Sequence, residues 1–200
     1  MTGRLEVIVG PMFSGKSSEL IRRINRVKVA QHNVQVFKFF DDQRFSASKL
    51  SSHDRFMISA IPVRNSAELK EKLLPETTVV GIDEAQFFDD KLVGLCEQLA
   101  GEGKTVICTT LNQSFRGEPF TFKDSSKNVG ELVAVADDVD FLSAVCTFKE
   151  NRIPCGARAS KTQRLINGKP APYDSPLVLI GEKEFYEARC RKHHFVPGKK

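Results

Sequence analysis

The sequence of 200 residues contains no long apolar run. No window approaches about 18 consecutive apolar residues, so we expect no membrane-spanning helix. The first apolar segment, residues 5–9, gives way to a glycine loop, which argues against a secretory signal peptide. These absences favour a cytoplasmic protein that does not enter membranes.

A full set of paired cysteines is also missing, because the five cysteines make an odd number. An odd set without a secretory signal favours a reducing compartment, with metal binding or free thiols in place of a disulfide scaffold. Internal repeats and low-complexity tracts are absent as well. A chain of this length forms one domain, or one domain with a small appendage.

Positive charge is scarce in most of the chain and concentrated near its end. The segment 149–200 holds 12 Lys and Arg against 5 Asp and Glu, whereas residues 1–148 hold 18 against 20. Such a basic segment could bind nucleic acid, serve an anionic nucleotide or form a solvated surface. Aromatic side chains that could stack on bases are few there, so nucleic-acid binding is disfavoured.

Residues 10–17 carry the P-loop pattern G-x-x-x-x-G-K-S, between an apolar strand and a helical segment. Glycines allow a tight turn that aims backbone N–H groups inward, and the following helix adds its positive N-terminal end. Lys16 could reach the β- and γ-phosphates of a nucleotide, and the Ser17 hydroxyl could ligate Mg²⁺. A structural glycine turn is the alternative, but it would need neither Lys nor Ser. The predicted phosphate-binding residues are Gly10, Pro11, Met12, Phe13, Ser14, Gly15, Lys16 and Ser17.

Apolar periodicity predicts alternating strands and helices. Strands are predicted at 5–9, 34–40, 58–63, 78–82, 105–111 and 141–146. Helices are predicted at 18–30, 67–74, 91–102 and 129–136. Ser66 is the predicted N-cap of the second helix, and Asp89 or Asp90 that of the third. Residues 46–55 and 112–127 are predicted as loops. This alternation indicates an α/β fold with a doubly wound, mostly parallel sheet, followed by a small second module.

The strand predicted at 78–82 runs into two carboxylates, Asp83 and Glu84. Ligand sites in parallel sheets lie at the carboxyl ends of the strands, where a carboxylate beside a P-loop can hold Mg²⁺. Two acids in one site can divide metal binding and proton transfer between them. We therefore assign Asp83 to the Mg²⁺ region and Glu84 to proton abstraction. A plain strand end with solvated acids is the alternative.

Cys146, Cys155, Cys190 and His193 carry the residue types of a tetrahedral structural Zn²⁺ site. Their spacing supports such a site only in part, because eight residues separate Cys146 from Cys155 where about two to four are usual. His194 could replace His193 as a ligand. Buried free cysteines are the alternative, and we expect Cys96 and Cys108 to be of that kind.

A P-loop alone names no substrate, and the absence of an N-K-x-D motif only disfavours a GTPase. The chain, however, resembles the type II, cytosolic-type thymidine kinase family over residues 3–195. The matching segments are Gly-Pro-Met-Phe-Ser-Gly-Lys-Ser at 10–17, Asp-x-Arg at 42–44, Ile-Asp-Glu-Ala-Gln-Phe-Phe at 82–88, Lys-Thr-x-Arg-Leu at 161–165, Leu-Ile-Gly at 179–181 and Cys-Arg at 190–191. The resemblance implies a RecA-like P-loop domain over residues 1–145 and a zinc-binding lasso domain over residues 146–200 that covers the nucleoside.

The resemblance implies transfer of the γ-phosphoryl group of ATP to the 5′-hydroxyl of thymidine or deoxyuridine, a salvage step for DNA synthesis. Glu84 would be the general base, and Lys16 and Arg44 would stabilise the transferring charge. The residues that would complete the ATP site are Asp42, Gln43, Arg44, Asp83 and Gln86. The side chains that would enclose the nucleoside are Met12, Phe87, Leu111, Phe115, Thr162 and Tyr186. The backbone that would contact the thymine edge is that of Leu177, Val178, Leu179, Ile180 and Gly181. The family implies a homotetramer or dimer that dTTP inhibits.

Three departures from the family pattern lie in the second half of the chain. The family usually has Cys-x-x-Cys where this chain has Cys146 and Cys155, so residues 147–154 contain an insertion of six residues. His193 stands where Cys is usual, and Asn112-Gln113 stands where the family has Asp-Gly. The basic C-terminal quarter keeps a second function open, that of a P-loop ATPase whose zinc-tethered arm binds nucleic acid. A zinc-stabilised nucleotide-binding protein without turnover is a third.

Overall fold

The computed structural model describes residues 2–40, 49–51, 57–177 and 185–200, and a six-stranded parallel sheet forms the centre of the fold. The strands are β1 Arg4–Val9, β2 Val34–Phe39, β3 Lys49–Ser51, β4 Met57–Ser59, β5 Ile61–Val63, β6 Val79–Asp83, β7 Thr105–Thr110, β8 Asp138–Phe141, β9 Ala144–Val145, β10 Lys149–Glu150, β11 Ile153–Pro154, β12 Arg158–Ala159, β13 Lys161–Ile166, β14 Lys169–Pro170 and β15 Phe185–Arg189. The helices are α1 Lys16–Val29, α2 Ser66–Lys72, α3 Lys91–Gly101 and α4 Gly130–Ala134, with a 3₁₀ turn at Ala85–Phe87. The order in the central sheet is β5-β2-β6-β7-β1-β8.

Helices cover both faces of this sheet, and the side chains of β1 alternate between the two faces. Leu5, Val7 and Val9 are buried in a cluster that includes the apolar side of α3. Ile8 is buried on the opposite face, in a cluster with the apolar side of α1. Burial on both faces explains the continuous apolar run of β1, and the predicted doubly wound, mostly parallel sheet is confirmed. None of the helices in the described ranges has the length and apolar character that a membrane span requires.

The strand order places β7 between β1, which leads into the P-loop, and β6, which carries Asp83. Val9 of β1 lies opposite Thr110 of β7, and Ile82 of β6 lies opposite Cys108. The carboxyl ends of these three strands therefore meet at one edge of the sheet. In α/β proteins this is the edge at which ligands bind.

An ion network ties helix α1 to β1 and β8. Arg23 of α1 contacts Glu6 of β1 at 2.5 Å, Glu19 at 2.8 Å, and Asp140 of β8. Hydrogen bonds from Arg22 and then from Arg23 outweigh the effect of burial and lower the pKa of Glu19 to about 2. The network thereby fixes the helix that starts at the P-loop relative to the strands beside it.

Beyond β8 the chain forms small antiparallel sheets. β9 pairs with β12, β10 pairs with β11, and β13 lies between β14 and β15. The alternation of helices and parallel strands therefore ends with β8. The division into domains at 1–145 and 146–200 stays a prediction.

The helix caps differ in part from the predicted ones. The N-cap of α2 is Asn65 rather than Ser66, and the Asn65 side chain accepts a hydrogen bond of 2.8 Å from the Glu68 N–H. The Ser66 hydroxyl instead donates to Asp89 at 2.6 Å, because Ser66 already lies in the first helical turn. The N-cap of α3 is Asp90, one of the two predicted residues.

Two strand predictions and one loop prediction are also wrong. The strand predicted at 141–146 is divided, because β8 ends at Phe141 and β9 pairs in another sheet. The strand predicted at 58–63 is likewise divided between β4 and β5, of which only β5 joins the central sheet. The predicted loop at 46–55 contains β3, which pairs with β4. Short strands of this kind are stabilised by pairing with other segments, which local periodicity does not report.

Candidate active site

Two glycines allow the P-loop to turn tightly from β1 into α1. A Cβ atom on Gly10 would lie 2.7 Å from the Leu142 carbonyl oxygen and 2.7 Å from Ser14 Oγ, so a larger residue would displace the loop. Gly15 has φ +84°, a left-handed conformation that glycine adopts freely, and is the N-cap of α1. Phe13 also has a positive φ of 65°. The backbone therefore has the compact turn that a phosphate cradle requires.

The carbonyl oxygen of Pro11 accepts hydrogen bonds from two polar side chains of the loop. It accepts a hydrogen bond of 2.8 Å from Ser14 Oγ and one of 2.9 Å from Lys16 Nζ. Lys16 is only 6% exposed, so its ammonium group lies over the loop and not in solvent. A cation in this position faces the place where a P-loop holds phosphate oxygens.

Ser17 joins the P-loop to the end of β6. Its hydroxyl lies 3.2 Å from Asp83 Oδ1 and 3.3 Å from Asp83 Oδ2, although 66 residues separate them in sequence. Asp83 is buried, with 2% of its surface exposed. A hydroxyl and a carboxylate side by side are hard oxygen ligands, and they fit the requirements of Mg²⁺. Both residues were predicted to serve Mg²⁺, and the structure places them side by side; their binding of Mg²⁺ stays a prediction.

Glu84 follows Asp83 directly and is held by its neighbours in an unusual conformation. Its backbone is left-handed, with φ 54° and ψ 48°. Its carboxylate accepts a hydrogen bond from Gln86 Nε2. The Gln86 oxygen in turn accepts hydrogen bonds from Thr110 Oγ1 at 3.1 Å and from the Leu111 N–H at 3.0 Å. Gln86 therefore orients Glu84, while its predicted contact with ATP stays a prediction.

Thr109 and Thr110, at the end of β7, are site residues that the sequence analysis missed. The Thr109 hydroxyl contacts both Asp83 and the backbone of Glu84. Both threonines are completely buried. Two hydroxyl residues at the carboxyl end of a strand, in a chain that also carries Asp83 and Glu84, are the signal that could have drawn attention to them.

Several residues predicted to enclose a nucleoside belong to or pack against one core cluster, and one of them contacts the P-loop directly. Met12, Phe87 and Leu177 are partly buried and pack against a core cluster that includes Leu111. Thr162, on β13, accepts a hydrogen bond of 3.0 Å from the Met12 N–H. The structure thus shows a direct contact between the P-loop and β13, and apolar residues of the P-loop, the 3₁₀ turn and the segment after β14 against one core cluster. That these residues enclose a nucleoside stays a prediction.

Two further predicted residues have different surroundings. Phe115 is 3% exposed, and its ring lies under the guanidinium groups of Arg164, at 5.1 Å, and Arg116, at 5.6 Å. Tyr186 is half-buried on β15, opposite Arg164 of β13. The remaining predicted site residues lie outside the described residues, namely Asp42, Gln43, Arg44, Val178, Leu179, Ile180 and Gly181.

The predicted metal ligands Cys146, Cys155, Cys190 and His193 form one cluster, in which all ligand atoms lie within 4.8 Å of one another. His193 Nδ1 is 3.5 Å from Cys190 Sγ and 3.7 Å from Cys146 Sγ. Tetrahedral zinc with usual bond lengths requires an N···S separation of about 3.6 Å, so the donors and their spacing fit a metal ion. His194 points elsewhere, with Nε2 2.9 Å from the Phe115 carbonyl oxygen.

A β-hairpin explains how this cluster tolerates the long spacing between its first two cysteines. β10 and β11 pair antiparallel, and the turn residues Asn151 and Arg152 have φ 50° and 69°. Positive φ at both central residues is typical of tight two-residue hairpin turns. The Cys155 N–H then donates a hydrogen bond of 2.7 Å to the Phe148 carbonyl oxygen, which returns Cys155 to the level of Cys146.

Gln113, at the third departure from the family pattern, has a charged partner. Its side-chain oxygen accepts a hydrogen bond of 2.6 Å from Lys161 Nζ. Burial lowers the pKa of Lys161, and the nearby cations Arg191 and Lys199 lower it further. The loop after β7 is therefore tied to the start of β13 by a side-chain contact that a glycine could not make.

The chain matches a known protein family over nearly its whole length. A family model described as thymidine kinase matches residues 3–194, nearly the whole chain. The chain belongs to the thymidine kinase family. The P-loop, the two carboxylates and the Cys/His cluster all lie inside the matched range.

Among solved structures, the X-ray structure of the Legionella pneumophila ATPase DotB matches with a TM-score of 0.43 and 14% sequence identity. The match covers 72% of this thymidine kinase family chain and 42% of the ATPase chain. This chain therefore spans less than half the length of that structure.

Proposed function

We propose that this chain transfers the γ-phosphoryl group of ATP to the 5′-hydroxyl of thymidine, or of deoxyuridine, with Glu84 as the general base. The observation that carries the proposal is the junction of the P-loop with β6, where Ser17 contacts Asp83 and Glu84 follows. One site would then contain a phosphate cradle, a carboxylate that binds the metal ion and a second carboxylate that accepts the proton. An alcohol nucleophile needs such a positioned carboxylate rather than a strong free base.

Lys16 and the P-loop backbone supply the positive charge on the phosphate side. Phosphoryl transfer depends chiefly on positioning and on neutralising the charge of the transferring group. Lys16 lies over the loop through its hydrogen bond to Pro11. Ser17 and Asp83 would hold Mg²⁺, which when bound neutralises phosphate charge. Arg44 would add a further cation, in keeping with the family resemblance.

The nucleoside would lie on the other side of Met12. Met12, Phe87 and Leu177, which are partly buried and pack against the core cluster that contains Leu111, would offer apolar surface for a flat base. Thr162 connects this surface to the P-loop through its contact with the Met12 N–H. Backbone groups of residues 177–181 would read the thymine edge, and closure of this segment would exclude water, which competes for the phosphoryl group.

The Cys/His cluster would bind a structural Zn²⁺ ion. Its four donors, Cys146, Cys155, Cys190 and His193, are a Cys₃His set, which is an accepted ligand set for structural zinc. The cluster joins the segment after β9 to the segment after β15. A metal ion there would anchor both ends of the region that carries Thr162 and residues 177–181.

Regulation and assembly complete the proposal. Because dTTP combines thymidine with a triphosphate, it could occupy the nucleoside wall and the P-loop together and so inhibit the enzyme. We propose a cytoplasmic homotetramer on the basis of the family resemblance.

The alternative function, a P-loop ATPase with a nucleic-acid-binding arm, rested on the basic C-terminal quarter. Some of the basic side chains of that quarter are buried inside the protein. Arg164, Arg189 and Lys161 are at most 8% exposed, and each has a partner inside the protein. Buried cations cannot contact a phosphate backbone, so this arm has fewer cations for nucleic acid than its composition suggests.

A substrate panel tests the proposed function. The purified chain is incubated with Mg²⁺ and γ-labelled ATP, with thymidine, deoxyuridine, single-stranded DNA or no acceptor. We expect label in dTMP and dUMP, and no stimulation of ATP hydrolysis by DNA. Hydrolysis that DNA stimulates, together with no labelled nucleotide, would instead support the ATPase. Hydrolysis and labelling both absent from folded, metal-loaded protein would support the structural role.

A further inference from the structure

Thr109 contacts both Asp83 and Glu84, the two acidic residues of the site. It is completely buried near the end of β7, the strand between the P-loop strand and the carboxylate strand. The pairing of Ile82 with Cys108 brings the next residues, Asp83 and Thr109, side by side. The position of Thr109 is therefore fixed by sheet register and not by a loop.

The single hydroxyl of Thr109 forms one hydrogen bond with the Asp83 carboxylate and one with the Glu84 backbone. It donates its proton to Asp83 Oδ1, because an ionised carboxylate can only accept. Its oxygen accepts a hydrogen bond of 3.0 Å from the Glu84 N–H. A hydroxyl has one proton and two lone pairs, so it can make both bonds together. No other residue type of similar size supplies both a donor and an acceptor in this geometry, apart from serine.

The bond to the Glu84 N–H holds a backbone that is otherwise unfavourable. A left-handed conformation is unfavourable for a non-glycine residue because Cβ crowds the following carbonyl oxygen, and Glu84 adopts one with φ 54°. This turn directs the chain from β6 into the 3₁₀ turn and so sets where the Glu84 side chain emerges. Loss of the bond would leave a part-buried N–H without this acceptor and would favour a relaxed turn.

We propose that Thr109 is a positioning residue, which fixes the orientation of the Asp83 carboxylate for the metal and the turn that presents Glu84 to the acceptor hydroxyl. The proposal rests on the proposed function for its Glu84 half. Its Asp83 half concerns metal binding and can be measured without turnover. Thr109 itself touches neither reacting group in this role.

The test compares Thr109→Val, which keeps the shape and removes the hydroxyl, with Thr109→Ser, which keeps the hydroxyl. Thr105→Val, at the opposite end of β7, is the matched control for a threonine exchanged within the same strand. We expect Thr109→Val to lower kcat about tenfold or more while the KM values for ATP and thymidine change less than about threefold, because misplaced groups mainly impair the transition state. Thr109→Ser restores most of kcat, and Thr105→Val leaves kcat unchanged.

Binding of Mn²⁺ in the presence of ATP, followed by electron paramagnetic resonance, provides the second readout. We expect Thr109→Val to weaken Mn²⁺ binding about fivefold or more, with Thr109→Ser close to the unchanged protein. A merely structural role would lower the melting temperature of Thr109→Val and Thr105→Val alike, without a selective loss of kcat or of Mn²⁺ affinity. That result, or a Thr109→Ser protein as impaired as Thr109→Val, would overturn the proposal.

The two readouts also separate this inference from the proposed function. An unchanged protein that forms no dTMP, beside a Thr109→Val protein with weakened Mn²⁺ binding, would reject the kinase activity and retain the Asp83 role of Thr109. Normal dTMP formation by both proteins, with equal Mn²⁺ affinity, would reject the role of Thr109 and retain the kinase.

Discussion

The Met12 N–H donates a hydrogen bond of 3.0 Å to Thr162 Oγ1, so the P-loop is tied directly to strand β13 across 150 residues of sequence. Thr162 is 3% exposed, which shields the bond from water. The bond links the loop proposed to hold ATP with the sheet proposed to cover the nucleoside.

Thr162→Val tests this connection. The substitution keeps the side-chain shape but removes the acceptor of the Met12 N–H. Because such a bond contributes roughly 1–1.5 kcal/mol, we expect kcat/KM for thymidine to fall about tenfold. Steady-state kinetics at saturating ATP provide the measurement. Thr162→Ser, which retains the acceptor, should lose much less, and equal losses in the two variants would contradict the role of the hydroxyl.

The Cys/His cluster predicts a bound zinc ion. The protein purified without chelator should contain about one zinc ion per chain, measured by elemental mass spectrometry. Cys155→Ser should lose the metal and unfold at a lower temperature. Cys96→Ala removes a buried cysteine that lies 3.8 Å from Cys108 and outside the cluster, so it should keep the zinc. Full zinc content in Cys155→Ser would exclude Cys155 as a ligand.

The hairpin between Cys146 and Cys155 predicts a distinct effect at Arg152. Its φ of 69° is unfavourable for side chains branched at Cβ. Arg152→Val should strain the turn by about 1–2 kcal/mol and so weaken zinc binding several-fold in competition with a chromogenic chelator. Arg152→Gly, which suits the turn, should bind zinc at least as well as the unchanged protein. Equal zinc affinity in both variants would show that the hairpin does not position Cys155.

Sequence alone predicted the parts of the fold that depend on local pattern. The apolar run of β1 indicated a strand buried on both faces, and both faces are covered. The P-loop and the Asp83-Glu84 pair were recognised because fixed residues stand at fixed spacing. The location of Asp83 near the P-loop followed from the rule that ligand sites lie at the carboxyl ends of parallel strands, whereas its contact with Ser17 was not predicted.

Features that depend on pairing between separate strands could not be predicted from the local sequence pattern. The division of residues 141–146 between β8 and β9 arises because β12 pairs with β9, and nothing in the local pattern reports this pairing. Thr109 gained its role only because β7 inserts between β1 and β6, an order that the sequence did not reveal. The cluster of Cys155 with Cys146 was predicted from residue types, but the hairpin that brings the two together was not, because the spacing supported the site only in part.

The ion network of α1 predicts a pH-dependent contribution to stability. Glu19 has its pKa lowered from 4.5 to about 2 in the folded protein, chiefly by Arg22 and then by Arg23. A depressed carboxyl pKa stabilises the fold above the unfolded pKa, and this contribution is lost as the pH falls from about 4.5 to about 2. Allowing for partial exposure, Glu19→Gln should cost roughly 1–2 kcal/mol at neutral pH.

Urea unfolding at several pH values checks this expectation. The difference between the unchanged protein and Glu19→Gln should be largest at neutral pH and should shrink towards zero near pH 2. Glu97→Gln, at an exposed position of α3, is the control and should show a small difference that does not follow this course. A Glu19→Gln difference that is the same at all pH values would contradict the assignment.

The role of Glu84 is the central claim, and the turnover of Glu84→Gln tests it most directly. Glutamine keeps the size and the hydrogen-bonding shape of the side chain but cannot accept the proton of the 5′-hydroxyl. Loss of a general base predicts a fall in kcat for dTMP formation of roughly 10²–10⁴-fold, with ATP affinity, measured by calorimetry, nearly unchanged. A Glu84→Gln protein with near-normal kcat would contradict the account.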